Sequence, residues 1–145
     1  MARIQHIAIS AKDNAKVAEF YKSVFGMEEV FVQPTPNGRV AYYLTDGNIN
    51  LAILPCRPDG VEGINHFGFN IEDLKSIAAS AGEAGASQMP SEVPQDGRFA
   101  ETFLKDPAGT RVDLSVSGWI TRPLTEEELK ERLSKAAVEP PAIAT

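Results

Sequence analysis

The same order of structural signals occurs twice in this chain, and its only two histidines, His6 and His66, sit at matching points of the two copies. Residues 4–10 alternate apolar with small or polar side chains, the period of a strand. Asp13 can cap a helix that carries Val17, Phe20, Tyr21 and Val24 at helical spacing, and Gly26 suits its end. Strands are expected at 28–33, 39–44 and 48–54, the last two joined by an Asp46-Gly47 turn. After a linker at 55–63 the pattern restarts. Residues 64–71 read as a strand, and Glu72 and Asp73 open a helix carrying Leu74, Ile77, Ala78 and Ala81. A Pro-containing loop at 88–97, with at most a short strand, follows. Strands at 99–105 and 110–117 flank the turn Asp106-Pro107-Ala108-Gly109. His6 precedes Gly47 by 41 residues, and His66 precedes Gly109 by 43. Both copies therefore read βαβββ, a duplication pattern.

This organisation sets the domain expectation. Residues 1–118 form one domain of two modules, about 3–55 and 63–118, and 119–145 form an extension. In the extension Thr125 and Glu128 make a capping box ahead of a short helix to about residue 137, stopped by Pro140 and Pro141. Trp119 is expected to pack over a module end or close one mouth of a cleft. Leu124, Leu129 and Leu133 could face a partner or the chain's own domain.

Composition narrows the function classes. Hydrophobic residues are 43% and charged residues 23% of 145, the proportions of a globular chain. The net charge is −6, and such a surface repels phosphate backbones, so no nucleic-acid partner is expected. No apolar run approaches the roughly 20 residues of a bilayer span. The N-terminus shows no secretory h-region, and the single cysteine, Cys56, can form no internal disulfide. A cytoplasmic protein with no membrane partner is the expectation.

Strand alternation sorts the special residues by face. Phe67, Phe69 and Ile71, and Val112, Leu114 and Val116, form apolar faces for the helices to cover. The opposite faces carry His6, Asn50, His66 and Asp113 at comparable places. Two His and one carboxylate can ligate a divalent ion while leaving coordination positions open. They can equally be satisfied polar residues of a wet cleft. Both readings stand on the residues alone.

The segments His6-Ile7-Ala8-Ile9, Phe20-Tyr21, Phe25-Gly26-Met27, Asn65-His66-Phe67-Gly68-Phe69, Lys105-Asp106-Pro107-Ala108-Gly109 and Val112-Asp113-Leu114 resemble, in order and spacing, the vicinal oxygen chelate superfamily. That superfamily includes glyoxalase I, methylmalonyl-CoA epimerase, extradiol dioxygenases, fosfomycin-resistance enzymes and bleomycin-resistance proteins. The resemblance covers about residues 3–117. It implies an α+β fold in which two βαβββ modules form a half-open, U-shaped barrel, here followed by a short C-terminal helix. The family's ligand positions fall on His6, Asn50, His66 and Asp113. Glyoxalase-like members carry glutamate where Asn50 stands, and the family usually has glutamate where Asp113 stands. The shorter aspartate requires a closer strand or an intervening water.

The resemblance implies three functions. The first is a glyoxalase-like metal-dependent lyase, isomerase or epimerase, in which a divalent ion on His6, His66 and Asp113 chelates a small oxygen-bearing substrate. Zinc, nickel, cobalt, manganese and iron are all admissible ions. Such an enzyme needs a base. Glu101 is the candidate, and it can equally be a surface carboxylate of an edge strand; Tyr43, Asn50, Phe103 and Arg111 are the expected substrate-binding residues. Arg111 could instead pair with Asp113 or Glu101. The second function is an extradiol-type dioxygenase, which normally uses a further acid–base histidine that this chain lacks. The third is a metal-free binding protein of the bleomycin-resistance type. The resemblance also implies a homodimer.

Overall fold

A computed structural model of the chain describes residues 1–94 and 99–136. The elements are β1 (Arg3–Ala11), α1 (Asn14–Phe25), β2 (Glu28–Pro34), β3 (Val40–Thr45), β4 (Asn50–Pro55), β5 (Gly63–Asn70), α2 (Leu74–Glu83), β6 (Thr102–Lys105), β7 (Arg111–Ser115) and α3 (Glu126–Ala136). This is an α+β fold whose first module reads βαβββ, as the sequence predicts. In the second module the expected extra strand is reduced to a single bridge between Gln88 and Lys105. Pro90 and Pro94 follow that bridge, and proline cannot donate to a ladder.

The chain divides into two compact units. One comprises Met1–Ala8 with Ile64–Trp119; the other comprises Ile9–Gly63 with the segment from Ile120 onward. In the first unit the strands run in the order β1-β5-β7-β6. β5 and β7 pair in parallel, with Gly68 opposite Asp113, and β6 pairs antiparallel to β7, with Phe103 opposite Asp113. The core lies on the predicted apolar face. Ile71, Val112 and Leu114 are buried, with Phe67, Phe69, Leu74, Ile77 and Leu104 packed on them. Val116, expected on that face, is 52% exposed because β7 has ended at Ser115. Asp73 caps α2 by accepting from Lys75 N and Ser76 N.

In the second unit β3 pairs antiparallel with both β2 and β4. Asp13 caps α1 and Gly26 closes it in the left-handed region, φ 67°. The inward face of α1 is narrower than its apolar pattern suggests: Ala18 and Asn14 are buried, while Phe20 and Val24 are half exposed. Asn14 takes an inward place by donating to Val40 O at 2.7 Å and Ile53 O at 3.2 Å. The capping box of α3 forms as read: Glu128 N donates to Thr125 Oγ1 and Thr125 N to Glu128 Oε2. The proline stop at 140–141 lies outside the described residues, as does the 95–97 part of the 88–97 loop. Among the described residues no helix is long and apolar enough to cross a membrane.

Candidate metal centre

Three strands of the first unit place His6 (β1), His66 (β5) and Asp113 (β7) together. All three are buried, at 4%, 7% and 1% exposure. His6 Nε2 lies 3.3 Å from His66 Nε2, and His66 Nε2 lies 3.0 Å from Asp113 Oδ2. The three candidate ligand atoms fall within 4.8 Å of one another. The shorter aspartate therefore reaches the centre, because the parallel β5–β7 pairing sets its strand directly beside that of His66.

The protons at this centre are constrained. His66 Nδ1 faces Asn65 Oδ1 at 2.7 Å. An amide oxygen only accepts, so Nδ1 is the ring atom that donates there, and Nε2 is the ring atom turned to the centre. Nε2 faces a carboxylate oxygen. Asp113 Oδ1 accepts from Arg111 Nε at 2.8 Å, whereas Oδ2 is buried without a hydrogen bond among the described residues. Two imidazole nitrogens and a carboxylate oxygen this close call for a shared positive charge, a proton or a metal ion. Ligand atoms held on one ion at about 2.1 Å and near-tetrahedral or octahedral angles stand roughly 3.0–3.4 Å apart, which is the spacing of the two contacts made by His66 Nε2. The residues therefore fit a divalent cation, with Asn65 as the outer partner that fixes the His66 tautomer.

The surroundings complete the centre. The Trp119 ring stacks on His6, centroids 4.8 Å apart and planes 4° from parallel. Gly68 is the seat for that ring: a Cβ there would come within 2.8 Å of Trp119 Cη2 and 3.2 Å of Asp113 Cβ. Glu101 directly precedes β6. Much of the residue is exposed, but its carboxyl end is desolvated. Burial of that end pushes Glu101 above the usual glutamate range, and the Asp113 charge adds to the effect. His66, Arg111 and Trp119 oppose it without cancelling it. Burial also pushes Asp113 up, but His66 and Arg111 outweigh it and hold this carboxyl below its usual range. Arg111 lies over the Phe103 ring at 4.4 Å while it holds Asp113. Pairing is thus the role the structure displays for Arg111.

Tyr43 and Asn50 belong to the second unit. Tyr43 stacks on Phe31 at 4.3 Å, and the Arg132 guanidinium of α3 sits 3.9 Å over the same Phe31 ring. Leu124 N also donates to Val30 O, so the C-terminal segment is anchored on β2 of its own chain. Leu133, by contrast, is 54% exposed. Asn50 is 2% exposed; its Nδ2 donates to Ile120 O at 2.8 Å, and its Oδ1 has no hydrogen-bond partner among the described residues.

The sequence does not single out Asn65, Gly68 or Arg132 as site residues, and it places Trp119 over a module end or at one mouth of a cleft. Asn65 was legible in principle, since a side-chain acceptor directly before a candidate ligand histidine is a usual orienting partner. Gly68 and Arg132 act through contacts distant in sequence.

Comparison with known proteins agrees with this arrangement. Residues 3–114 match the family model described as Glyoxalase/Bleomycin resistance protein/Dioxygenase superfamily. No curated protein matches the chain by sequence. Among solved structures, a hypothetical protein from Bacillus halodurans C-125 aligns with a TM-score of 0.61 at 19% identity, over 79% of this chain and 93% of that one. A substituted Streptomyces coelicolor methylmalonyl-CoA epimerase in complex with 2-nitronate-propionyl-CoA aligns at 0.58 and 25% identity, over 83% and 98%. The methylmalonyl-CoA epimerase from Mycobacterium tuberculosis aligns at 0.55 and 17%, over 86% and 89%. With residues 3–114 matched to one family model, the chain belongs to the Glyoxalase/Bleomycin resistance protein/Dioxygenase superfamily.

Proposed function

We propose that this chain is a metal-dependent isomerase or epimerase that moves a proton on a carbon next to a carbonyl of a small, oxygen-bearing substrate. The observation that carries the reading is the buried cluster of His6, His66 and Asp113, with His66 Nε2 3.3 Å from His6 Nε2 and 3.0 Å from Asp113 Oδ2. His6, His66 and Asp113 would hold the ion. A divalent cation there supplies Lewis-acid stabilisation to the oxyanion that develops as the carbon acid ionises.

The chain's own residues do the rest. Glu101 accepts the carbon-bound proton and returns it, and its raised proton affinity favours that exchange. Arg111 fixes Asp113 from the side away from His66 and keeps that carboxylate ionised. Phe103 carries Arg111 and presents an apolar wall. The likeness to methylmalonyl-CoA epimerases supports proton transfer over ring cleavage. Both histidines of the chain are engaged at the centre, so no third one serves the acid–base step of a dioxygenase. A cytoplasmic homodimer accompanies this reading, and light scattering on the purified chain checks the dimer.

The test is proton exchange. The zinc-, cobalt- or nickel-loaded protein is incubated with methylmalonyl-CoA in deuterated water, and label at the carbon between the two carbonyls is followed by mass spectrometry. Incorporation that depends on the ion and on Glu101 supports the proposal. Turnover of a catechol with iron(II) and oxygen, without exchange, would replace it with the dioxygenase.

A further inference from the structure

The second unit carries a half-buried cation that pairs with no carboxylate among the described residues. Arg132 lies on α3, beyond the residues matched to the family model. Its Cζ sits 3.9 Å over the centre of the Phe31 ring, and the Tyr43 ring stacks on Phe31 at 4.3 Å and 14°. Two groups that close cannot share one face of a ring, so Phe31, itself 6% exposed, is held between them. Phe31 and Tyr43 are register partners on β2 and β3, so adjacent strands build the stack. The acids around Arg132 are committed elsewhere. Glu128, one turn earlier on α3, is gripped by Arg122 at 2.9 and 2.7 Å. Glu131 accepts from Lys135 at 2.8 Å, and Glu29 of β2 pairs with Lys22. Burial works against the charge of Arg132, and Tyr43 is the group that opposes this.

The same sheet face holds a second uncommitted group. Tyr43 and Thr45 lie on one face of β3, and Thr45 is the register partner of Asn50 on β4. Asn50 is 2% exposed; its Nδ2 is taken by Ile120 O, and its Oδ1 is buried with no hydrogen-bond partner among the described residues. A buried acceptor without a donor costs free energy, as does a desolvated cation without an anion. We propose that Arg132 is an anion-binding residue, which takes the carboxylate or phosphate of a small acidic ligand on the β2–β3–β4 face that carries Phe31, Tyr43 and Asn50. Arginine suits either oxyanion because its planar fork offers two parallel N–H donors. The Phe31 ring supports the guanidinium and reduces the freedom it loses on binding. The chain as a whole carries a net charge of −6 and repels anions, so an acidic ligand needs a dedicated cation of this kind. The proposal does not depend on the metal centre.

The test is an anion titration of the full-length 15N-labelled chain, treated with a chelator so that no anion binds through a metal ion. The arginine Nε–Hε resonance of Arg132 is identified by its absence from R132K. Succinate, inorganic phosphate and sodium chloride are added separately at matched ionic strength. The proposal expects that resonance to shift and saturate with succinate or with phosphate, and not with chloride; the anion that saturates it at the lower concentration identifies the acid group. Calorimetric affinity for that anion should fall at least about tenfold in R132Q, which loses two charge-assisted hydrogen bonds. It should fall less in R132K, which keeps the charge and loses the fork. A thermal melt of each variant checks that the fold is kept, and the wild-type titration decides the matter without either variant. An Arg132 resonance that follows ionic strength alone, chloride included, would overturn the proposal and leave Arg132 a packing residue on Phe31. A folded R132Q that binds the anion as tightly as wild type would overturn it as well.

Discussion

His66 and Asp113 face each other across the parallel β5–β7 pair, Nε2 to Oδ2 at 3.0 Å, with His66 Nδ1 held on the opposite side of the ring by Asn65 Oδ1 at 2.7 Å. The pair is arranged to receive a cation. Removal of the outer partner tests this arrangement without removing a ligand. Asn65→Ala should lower affinity for zinc or cobalt about 10- to 100-fold while leaving the fold intact. Isothermal titration with the metal alone, alongside a thermal melt, measures both. Unchanged affinity would mean that Asn65 does not set the tautomer.

Proton exchange should depend on pH through Glu101. Burial, then repulsion from Asp113, raises its proton affinity, so the folded protein protonates it at a pH above the usual glutamate range. A base must be ionised, so activity should rise with pH through that raised value and be lost below it. The acidic limb should disappear in E101Q, which should also cost about 10²- to 10⁴-fold in exchange rate. The same shift has a stability sign. The protonated form is favoured by folding, so wild type should gain stability relative to E101Q as pH falls through the raised value.

Gly68 tests the seat of the indole. Gly68→Ala puts a methyl group 2.8 Å from Trp119 Cη2 and 3.2 Å from Asp113 Cβ and O. Backbone and Asp113 give little, so the ring must move. A loss of about 1–3 kcal/mol in unfolding free energy is expected from overpacking. Weakened metal binding should accompany it, because His6 loses its stacked neighbour. Chemical denaturation followed by circular dichroism measures the first effect.

The C-terminal helix depends on its cap. Arg122 holds Glu128 with bonds of 2.9 and 2.7 Å, and Glu128 accepts from Thr125 N. The Arg122 hydrogen bond, with help from Thr125, lowers Glu128 from the usual 4.5 to about 2. A lowered carboxyl contributes stability above its ordinary value, and that contribution fades as pH falls from about 4.5 toward about 2. Thr125→Ala should cost about 1 kcal/mol and fray α3 first. Hydrogen exchange at Leu129, whose N–H bonds to Thr125 O, reports the fraying.

Most of the fold was legible because it is written in local signals. Asp13, Gly26, Asp73 and the Thr125–Glu128 box mark helix ends through bonds made within four residues, and the period-2 faces of β5 and β7 are the faces that pack. His6, His66 and Asp113 could be placed on one side because alternation and the repeat register carry that information. Distances could not. Whether Asp113 spans the gap depends on the parallel pairing that puts Gly68 opposite it, a contact 45 residues apart in the chain. The Trp119 stack depends on two glycines 50 residues apart, neither marked by a local rule. α1 shows the opposite failure: Phe20 and Val24 satisfy the helical spacing yet stand exposed, because the buried stripe is occupied by Ala18 and Asn14. The loss of the extra strand in the second module follows from prolines whose effect depends on what the neighbouring strand offers.

The central claim is that His6, His66 and Asp113 form a divalent-metal site. Its most direct test is elemental analysis of tag-free protein, as purified and after reconstitution, beside His66→Ala. The account predicts about one divalent ion per chain in the wild type and none in the variant. A wild-type chain that retains no ion after reconstitution with zinc, nickel, cobalt, manganese and iron would contradict it.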